Sequence, residues 1–181
     1  MTMTPTRSRF AFIIFLAGLM ITGCSDNASD AGKASTVKAA QSQSKDYGDG
    51  CSWLTAEQIE SVMGAAPDKS GPPLGLDYPG CHWKFQDGYQ LLVQVMLSPP
   101  SIGSYDSFDE YVKGMTEYYG EDSTEGQKEI TGLGALAVFD SSVNVLVVAM
   151  GERDLSVTTP KSVGGEEQLI AIAKLVLEKL G

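Results

Sequence analysis

Nucleophilic or metal-binding chemistry in this chain would draw on three cysteines, Cys24, Cys51 and Cys81, and on a single histidine, His82. Cys81 and His82 are neighbours in a segment predicted to form a strand, where successive side chains point to opposite faces. A nucleophilic Cys–His pair needs its two side chains within hydrogen-bond reach, so this pair does not form one. His82 is therefore interpreted as a structural or surface residue.

Cys24 ends a segment organised like an export signal. Two arginines near the start are followed by an apolar run, residues 10–20, that is too short to span a bilayer. The next residues, Ile21-Thr22-Gly23-Cys24, resemble the lipobox of a bacterial lipoprotein. The resemblance implies that the Cys24 thiolate receives a diacylglyceryl group and that residues 1–23 are removed. The alternative is a buried cysteine behind an ordinary signal or anchor.

The charge of the chain limits its partners. Its formal net charge is −10, and loss of the two arginines with residues 1–23 makes it −12. Nucleic acid is excluded as a partner because binding it requires a basic surface. No polybasic segment supports binding to anionic lipid, so membrane attachment would rest on the acyl chains.

The residue after Cys24 bears on which membrane holds the protein. Ser25 stands where an aspartate would resemble the inner-membrane retention signal. This favours the periplasmic leaflet of the outer membrane, with the inner membrane and the cell surface as alternatives.

Residues 24–49 are predicted to be a flexible tether, and residues 50–181 a single globular domain. The tether is rich in small and polar residues and cannot bury enough surface to offset its ordering entropy. The 158 residues left after removal of the signal are enough for one domain with a core.

Cys51 and Cys81 are predicted to form a disulfide because the chain is expected to reach an oxidising compartment. Such a bridge would stabilise the domain by about 3–4 kcal/mol in the chain-entropy model. Two free thiols remain an alternative. A metal site formed by these cysteines and His82 lacks a fourth ligand at a usual spacing, and we expect neither a metal nor a cofactor.

The periodicity of apolar residues predicts an α+β two-layer sandwich, with a mostly antiparallel sheet and helices on one face. Capping signals define the first two helices: Thr55 with Gln58 for one, and Ser107 with Glu110 for the other. The dipeptide Asp87-Gly88 predicts a hairpin. The predicted strands are residues 81–85, 89–97, 128–131, 135–139, 143–150 and 155–159, and the predicted last helix is residues 166–180.

Aromatic side chains are the best candidates for ligand or partner binding. The six considered are Trp53, Trp83, Tyr105, Tyr111, Tyr118 and Tyr119. The buried stripe of the second helix is predicted to contain Tyr105, Phe108, Val112, Met115 and Tyr119. Tyr111 and Tyr118 lie one heptad apart on the flank of this stripe and are predicted to be exposed, whereas core packing is expected for most of the others.

The remaining motifs give no sign of catalysis. The carboxylates between residues 106 and 125 lack EF-hand spacing and are interpreted as a solvated helix face. Gly132-Leu133-Gly134 lacks the lysine and hydroxyl residue of a phosphate loop. Neither a Gly-x-Ser-x-Gly elbow nor a His-Glu-x-x-His helix is present.

Three segments resemble landmarks of small bacterial lipoproteins of unknown function: Cys51-Ser52-Trp53-Leu54-Thr55, Cys81-His82-Trp83 and residues 130–137 with their Gly-Leu-Gly. The resemblance covers about residues 50–180, implies a non-catalytic α+β envelope domain and transfers no functional residue. We therefore expect a lipid-anchored binding or accessory domain. The alternatives are an assembly subunit docked on an envelope protein complex and a carboxylate-based hydrolase of an envelope polymer.

Overall fold

The computed structural model describes residues 46–73, 78–96 and 101–181, all within one compact unit, Gln43–Gly181. The predicted signal, Cys24, most of the predicted tether and Leu97 of the predicted hairpin lie outside the described residues. In the part of the chain that is described, no helix combines the length and the apolar character needed to cross a membrane.

The centre of the fold is an antiparallel sheet of seven strands with the order β1-β2-β3-β7-β6-β5-β4. The strands are β1 (Lys69–Gly71), β2 (Gly80–Lys84), β3 (Gln90–Met96), β4 (Gln127–Glu129), β5 (Ala137–Asp140), β6 (Val145–Ala149) and β7 (Asp154–Thr158). The helices are α1 (Ala56–Met63), α2 (Phe108–Tyr119) and α3 (Glu166–Leu180). The α+β class and the antiparallel sheet are confirmed.

The main core lies between one sheet face and the helices α1 and α3. Ile59 of α1 and Leu169 and Ile172 of α3 are fully buried against this face. The strands β2, β3, β5, β6 and β7 contribute alternate residues, such as Leu91 and Val93 of β3, because successive strand side chains point to opposite faces. The apolar stripe of α3 therefore has a continuous partner surface, and its predicted range agrees with the structure.

The second helix, α2, packs against the opposite face of the sheet, so the helices lie on both faces and not on the one face predicted. Val138 and Ala149 on this face contact the α2 cluster, whereas their strand neighbours Phe139 and Val148 belong to the main core. Strands β5 and β6 are thus buried on both faces, which accounts for the uninterrupted apolar run that predicted an internal strand.

Both capping hydrogen bonds predicted for α1 are present, but only one of the two predicted for α2 is present. Thr55 Oγ accepts from the Gln58 N–H at 3.2 Å, and Gln58 Oε1 accepts from the Thr55 N–H at 2.9 Å, so the predicted capping box is confirmed. Ser107 Oγ accepts from the Glu110 N–H as predicted. The Glu110 carboxylate, however, accepts from the Asp106 N–H at 3.0 Å and so completes no box with Ser107.

The hairpin of β2 and β3 is confirmed, with Trp83 opposite Leu91. Strand β1 is not among the predicted strands. Its sequence, Lys-Ser-Gly, has no apolar alternation, and it joins the sheet edge by main-chain pairing with β2. A strand without apolar alternation cannot be recognised from the pattern of side chains in the sequence.

A disulfide joins Cys51 to Cys81, with Cα atoms 4.8 Å apart. It ties the 3-10 turn Gly50–Ser52 to the first residues of β2. The two backbones are so close that a Cβ on Gly50 would lie 2.3 Å from the carbonyl carbon of Gly80. Packed structure also begins earlier than Gly50, because Tyr47 is buried and its carbonyl accepts from Trp53 Nε1 at 2.9 Å.

Candidate functional site

The two residues considered for nucleophilic chemistry, Cys81 and His82, both make structural contacts. Cys81 is fully buried and bonded to Cys51. His82 Nδ1 lies 2.9 Å from the Pro72 carbonyl oxygen, so the ring is held to the loop that follows β1. Among the described residues, no group of three or more His, Cys, Asp or Glu side chains has the arrangement to hold a metal ion.

The prediction that Tyr111 is exposed is wrong. Its side chain is 6% exposed, and its ring contacts Tyr105 edge-on at 5.5 Å and Phe108 at 6.1 Å between centroids. Burial raises the pKa of the Tyr111 phenol, and the neighbouring Gln127 amide opposes part of that shift. Tyr111 therefore belongs to the second core.

Tyr111 was predicted wrongly because the face of α2 that contacts the sheet includes it. The contacting residues are Phe108, Tyr111, Val112 and Met115, which follow the i, i+3, i+4, i+7 spacing of one helix face. The predicted stripe continued to Tyr119, but Tyr119 lies in the last turn and is 57% exposed. It therefore does not belong to the buried face.

Tyr118 is exposed as predicted, and it stands beside Tyr119. Tyr118 is 78% exposed, and the two ring centroids lie 4.6 Å apart with their planes at 71°. We call Tyr118 and Tyr119 the tyrosine pair. Trp53 and Trp83 are buried in the main core, so the pair forms the exposed aromatic surface among the six candidates that sequence reasoning considered.

The tyrosine pair lies in the most acidic part of the chain. Residues 105–126 contain seven carboxylates and one lysine, Lys113. Glu117 precedes the pair, and Glu121 and Asp122 follow it in the 3-10 turn Glu121–Thr124; we call these three residues the acidic rim. All three side chains are exposed. The surface thus combines aromatic rings with concentrated negative charge.

A network of polar side chains fixes the turn that carries the acidic rim. The Ser123 hydroxyl is shared between the Gly120 carbonyl at 2.7 Å and the Met115 carbonyl at 3.2 Å. Gln127 Nε2 donates to the Ser123 carbonyl and to Asp140 Oδ2, both at 3.2 Å. The turn is therefore tied to the end of α2 and to the end of β5.

Asp140 is the anchor of this network. Burial by itself raises the pKa of its carboxyl group, but hydrogen bonds from Ser142 and Gln127 outweigh burial, and the pKa lies below its ordinary value. Sequence reasoning missed this role. The run Asp140-Ser141-Ser142 is a recognisable turn signal, yet its contact with Gln127 depends on the pairing of β4 with β5.

Three clefts formed by described residues elsewhere on the domain are open to solvent. One of about 390 Å³ between the end of α1 and the hairpin turn includes Asp68 and Asp87, both exposed to solvent. Two adjoining clefts of about 400 and 270 Å³ share Ser52, Trp53 and Lys179. Exposed carboxylates lack the desolvation that converts a carboxyl group into a general acid near neutral pH.

These features define a small α+β domain with one disulfide and an exposed aromatic surface. The family described as "Protein of unknown function (DUF3558)" matches residues 19–171, and the chain belongs to that family. No curated protein and no solved structure gives a significant match.

Proposed function

We propose that this protein is a lipid-anchored envelope protein whose periplasm-facing domain recognises another protein without catalysing a reaction. The observation that carries the proposal is the exposure of the tyrosine pair, Tyr118 and Tyr119, at the end of a helix whose other aromatic residues are packed. Tyrosine is enriched in protein interfaces because it offers a large rigid contact area with a polar tip. A binding or accessory role, including docking on an envelope complex, uses this surface.

A hydrolase acting on an envelope polymer fits the same domain less well. A carboxylate mechanism needs one carboxyl group held protonated by burial beside another that stays ionised. In the described clefts, Asp68 and Asp87 are the nearest approach to a pair, and both are solvated. The Asp140 carboxylate accepts hydrogen bonds from Gln127, which is bonded to the turn of the acidic rim, and from the Ser142 N–H.

The anchor is proposed from the lipobox-like residues ending at Cys24. Cells given a clickable fatty acid should label the wild-type protein, and Cys24→Ser should abolish the label, because the acyl chains depend on the Cys24 thiolate. Cys51→Ser is the matched control, since it also removes a cysteine but leaves the lipobox intact. Label retained by the Cys24→Ser protein would refute the anchor. Fractionation of the labelled membranes then tests the proposed outer-membrane location.

The binding surface is tested by site-specific photo-crosslinking in cells. A photoreactive residue replacing Asp122 lies beside the tyrosine pair, and one replacing Tyr89 lies on the β2–β3 hairpin, where Tyr89 is 39% exposed. We expect an adduct of one discrete mass from position 122 and none from position 89. Tyr118→Ala/Tyr119→Ala should abolish that adduct, since the pair supplies the buried contact.

Two patterns of adducts would contradict the proposed surface. One is the same set of adducts from positions 122 and 89, which would indicate unspecific collisions. The other is an adduct that persists in the double alanine variant. Circular dichroism of that variant should match the wild type, because both tyrosines are largely exposed and their removal leaves the second core intact.

A further inference from the structure

We propose that the partner places lysine and arginine side chains of a cationic protein segment against the tyrosine pair, Tyr118 and Tyr119. This inference rests on the proposed function, because it names the chemistry of the partner at the same surface. Three independent features of the end of α2 favour a cation there: the unneutralised rim, the helix terminus and the exposed aromatic rings.

The first feature is charge without a counterion on the protein. Within the described residues, Glu117, Glu121 and Asp122 form no ion pair with a lysine or arginine. The ion pair found among the described residues joins Lys128 of β4 to Glu166 of α3, and neither residue belongs to the acidic rim. Complementary charge on a partner would relieve the mutual repulsion of the rim and speed the encounter.

The second feature is the terminus of α2 itself. A helix ends with unpaired carbonyl groups and a partial negative charge, which proteins often complement with lysine or arginine in the last turn. The last turn of α2 contains no basic residue and does contain Glu117. The helix dipole and the carboxylates therefore add at the same place, and a cation supplied from outside would complement both.

The third feature is the arrangement of the two rings. The faces of aromatic rings attract cations, and this attraction operates at exposed sites as well as at buried ones. With planes at 71°, the two rings present differently oriented surfaces to one approaching chain. Arginine suits such a site because its guanidinium group is weakly hydrated and stacks on rings, while its alkyl stem covers apolar surface.

Other cationic or membrane occupants fit less well. The described residues provide no cluster of acidic side chains arranged as metal ligands. An anionic lipid surface would be repelled by the rim. A small polyamine would satisfy the charge but would leave most of the ring surface in water. A protein segment that carries both charge and alkyl stems covers both parts of the surface.

The test uses the full-length lipoprotein in neutral detergent micelles and a fluorescent peptide of alternating arginine and glycine as the probe. Fluorescence anisotropy should show saturable binding that weakens as salt is added, because the rim contributes screened charge. A peptide of alternating glutamate and glycine serves as the control and should not bind. Equal binding of the two peptides would overturn the inference.

Variants separate the rings from the charges. Tyr118→Ala/Tyr119→Ala should weaken binding of the arginine peptide about tenfold, whereas Tyr118→Phe/Tyr119→Phe should retain most of it because the ring faces remain. Glu117→Gln/Glu121→Gln/Asp122→Asn should weaken binding about as much and flatten its salt dependence.

A matched triple variant controls for net charge. The control changes are Glu60→Gln, Glu129→Gln and Glu178→Gln, which remove the same charge from exposed sites outside residues 105–126. Equal losses from the rim and control triples would mean that the peptide senses only overall charge and would overturn the inference. An adduct at position 122 that persists at high salt, together with no peptide binding, would overturn this inference alone. Absence of any adduct would overturn the proposed function as well.

Discussion

Replacing Cys51 and Cys81 together with alanine is expected to lower the free energy of unfolding by about 3–4 kcal/mol. The bridge closes a loop with a sequence separation of 30, and its removal enlarges the unfolded ensemble. The same bridge holds the turn of Gly50 directly against Gly80, an approach that leaves no room for a side chain. Equilibrium denaturation of the variant and the wild type in urea measures the change, with the same dependence of unfolding free energy on urea concentration used for both.

The reduced wild-type protein provides the matched control for the double alanine variant. Because reduction and substitution remove the same constraint, both should unfold at nearly the same urea concentration, and reductant should leave the variant unchanged. Fatty-acid labelling at Cys24 should not respond to either treatment. Free alkylation of Cys51 and Cys81 in the native, oxidised protein would contradict the prediction, as would a variant as stable as the wild type.

The elements that sequence predicted well are those whose signals are local. The capping box at Thr55, the Asp87-Gly88 turn and the amphipathic stripe of α3 each depend on residues close together in the chain, and each agrees with the structure. Their main-chain hydrogen bonds and apolar periodicity suffice to specify a helix or a hairpin, whatever lies around them.

Placement of α2 depended on contacts that no local pattern contains. Tyr111 is buried and Tyr119 is exposed because the contacts of α2 with the sheet run only from Phe108 to Met115 and stop before the last turn. Tyr118 lies one heptad after the buried Tyr111 and so on the same side of the helix, and it is exposed because it falls in the last turn, past the contacting residues Phe108 to Met115. The flank argument thus gave the right exposure for Tyr118 and the wrong one for Tyr111, and the exposure of Tyr119 was not predicted.

Asp154 shows the same limit for polar residues. The predicted strand of residues 155–159 leaves it out, yet it is the first residue of β7 and fully buried. Its carboxylate accepts from the Ser101 hydroxyl at 2.7 Å and from the Ile102 N–H at 3.3 Å, across more than 50 residues of chain. A buried carboxylate is tolerable only with such partners, and their identity depends on the tertiary fold.

Asn144 also has a structural role that the sequence pattern did not predict. The predicted strand of residues 143–150 included it, but its φ of 57° ends the turn before β6, which starts at Val145. The residue is 3% exposed, and its Nδ2 donates to the Thr159 carbonyl at 2.6 Å and the Gly164 carbonyl at 2.9 Å. One amide thus joins the β5–β6 turn to the segment between β7 and α3.

Asn144→Ala is expected to lower the free energy of unfolding by about 3 kcal/mol, because two buried carbonyls lose their donor and alanine disfavours a positive φ. Asn144→Gly should be about 1 kcal/mol less damaging, since glycine adopts that backbone conformation freely. The difference between the two variants isolates backbone strain from hydrogen bonding, and urea denaturation measures both.

Asn144→Asp completes the series because it preserves the shape of the side chain and replaces the donor with a carboxylate. Two carbonyl oxygens would then face a negative group in a buried site, so this variant should be at least as unstable as Asn144→Ala at neutral pH. Lowering the pH should recover part of the loss, because a protonated aspartate again offers one donor. An aspartate variant as stable as the wild type at neutral pH would show that donation by Asn144 does not hold the turn.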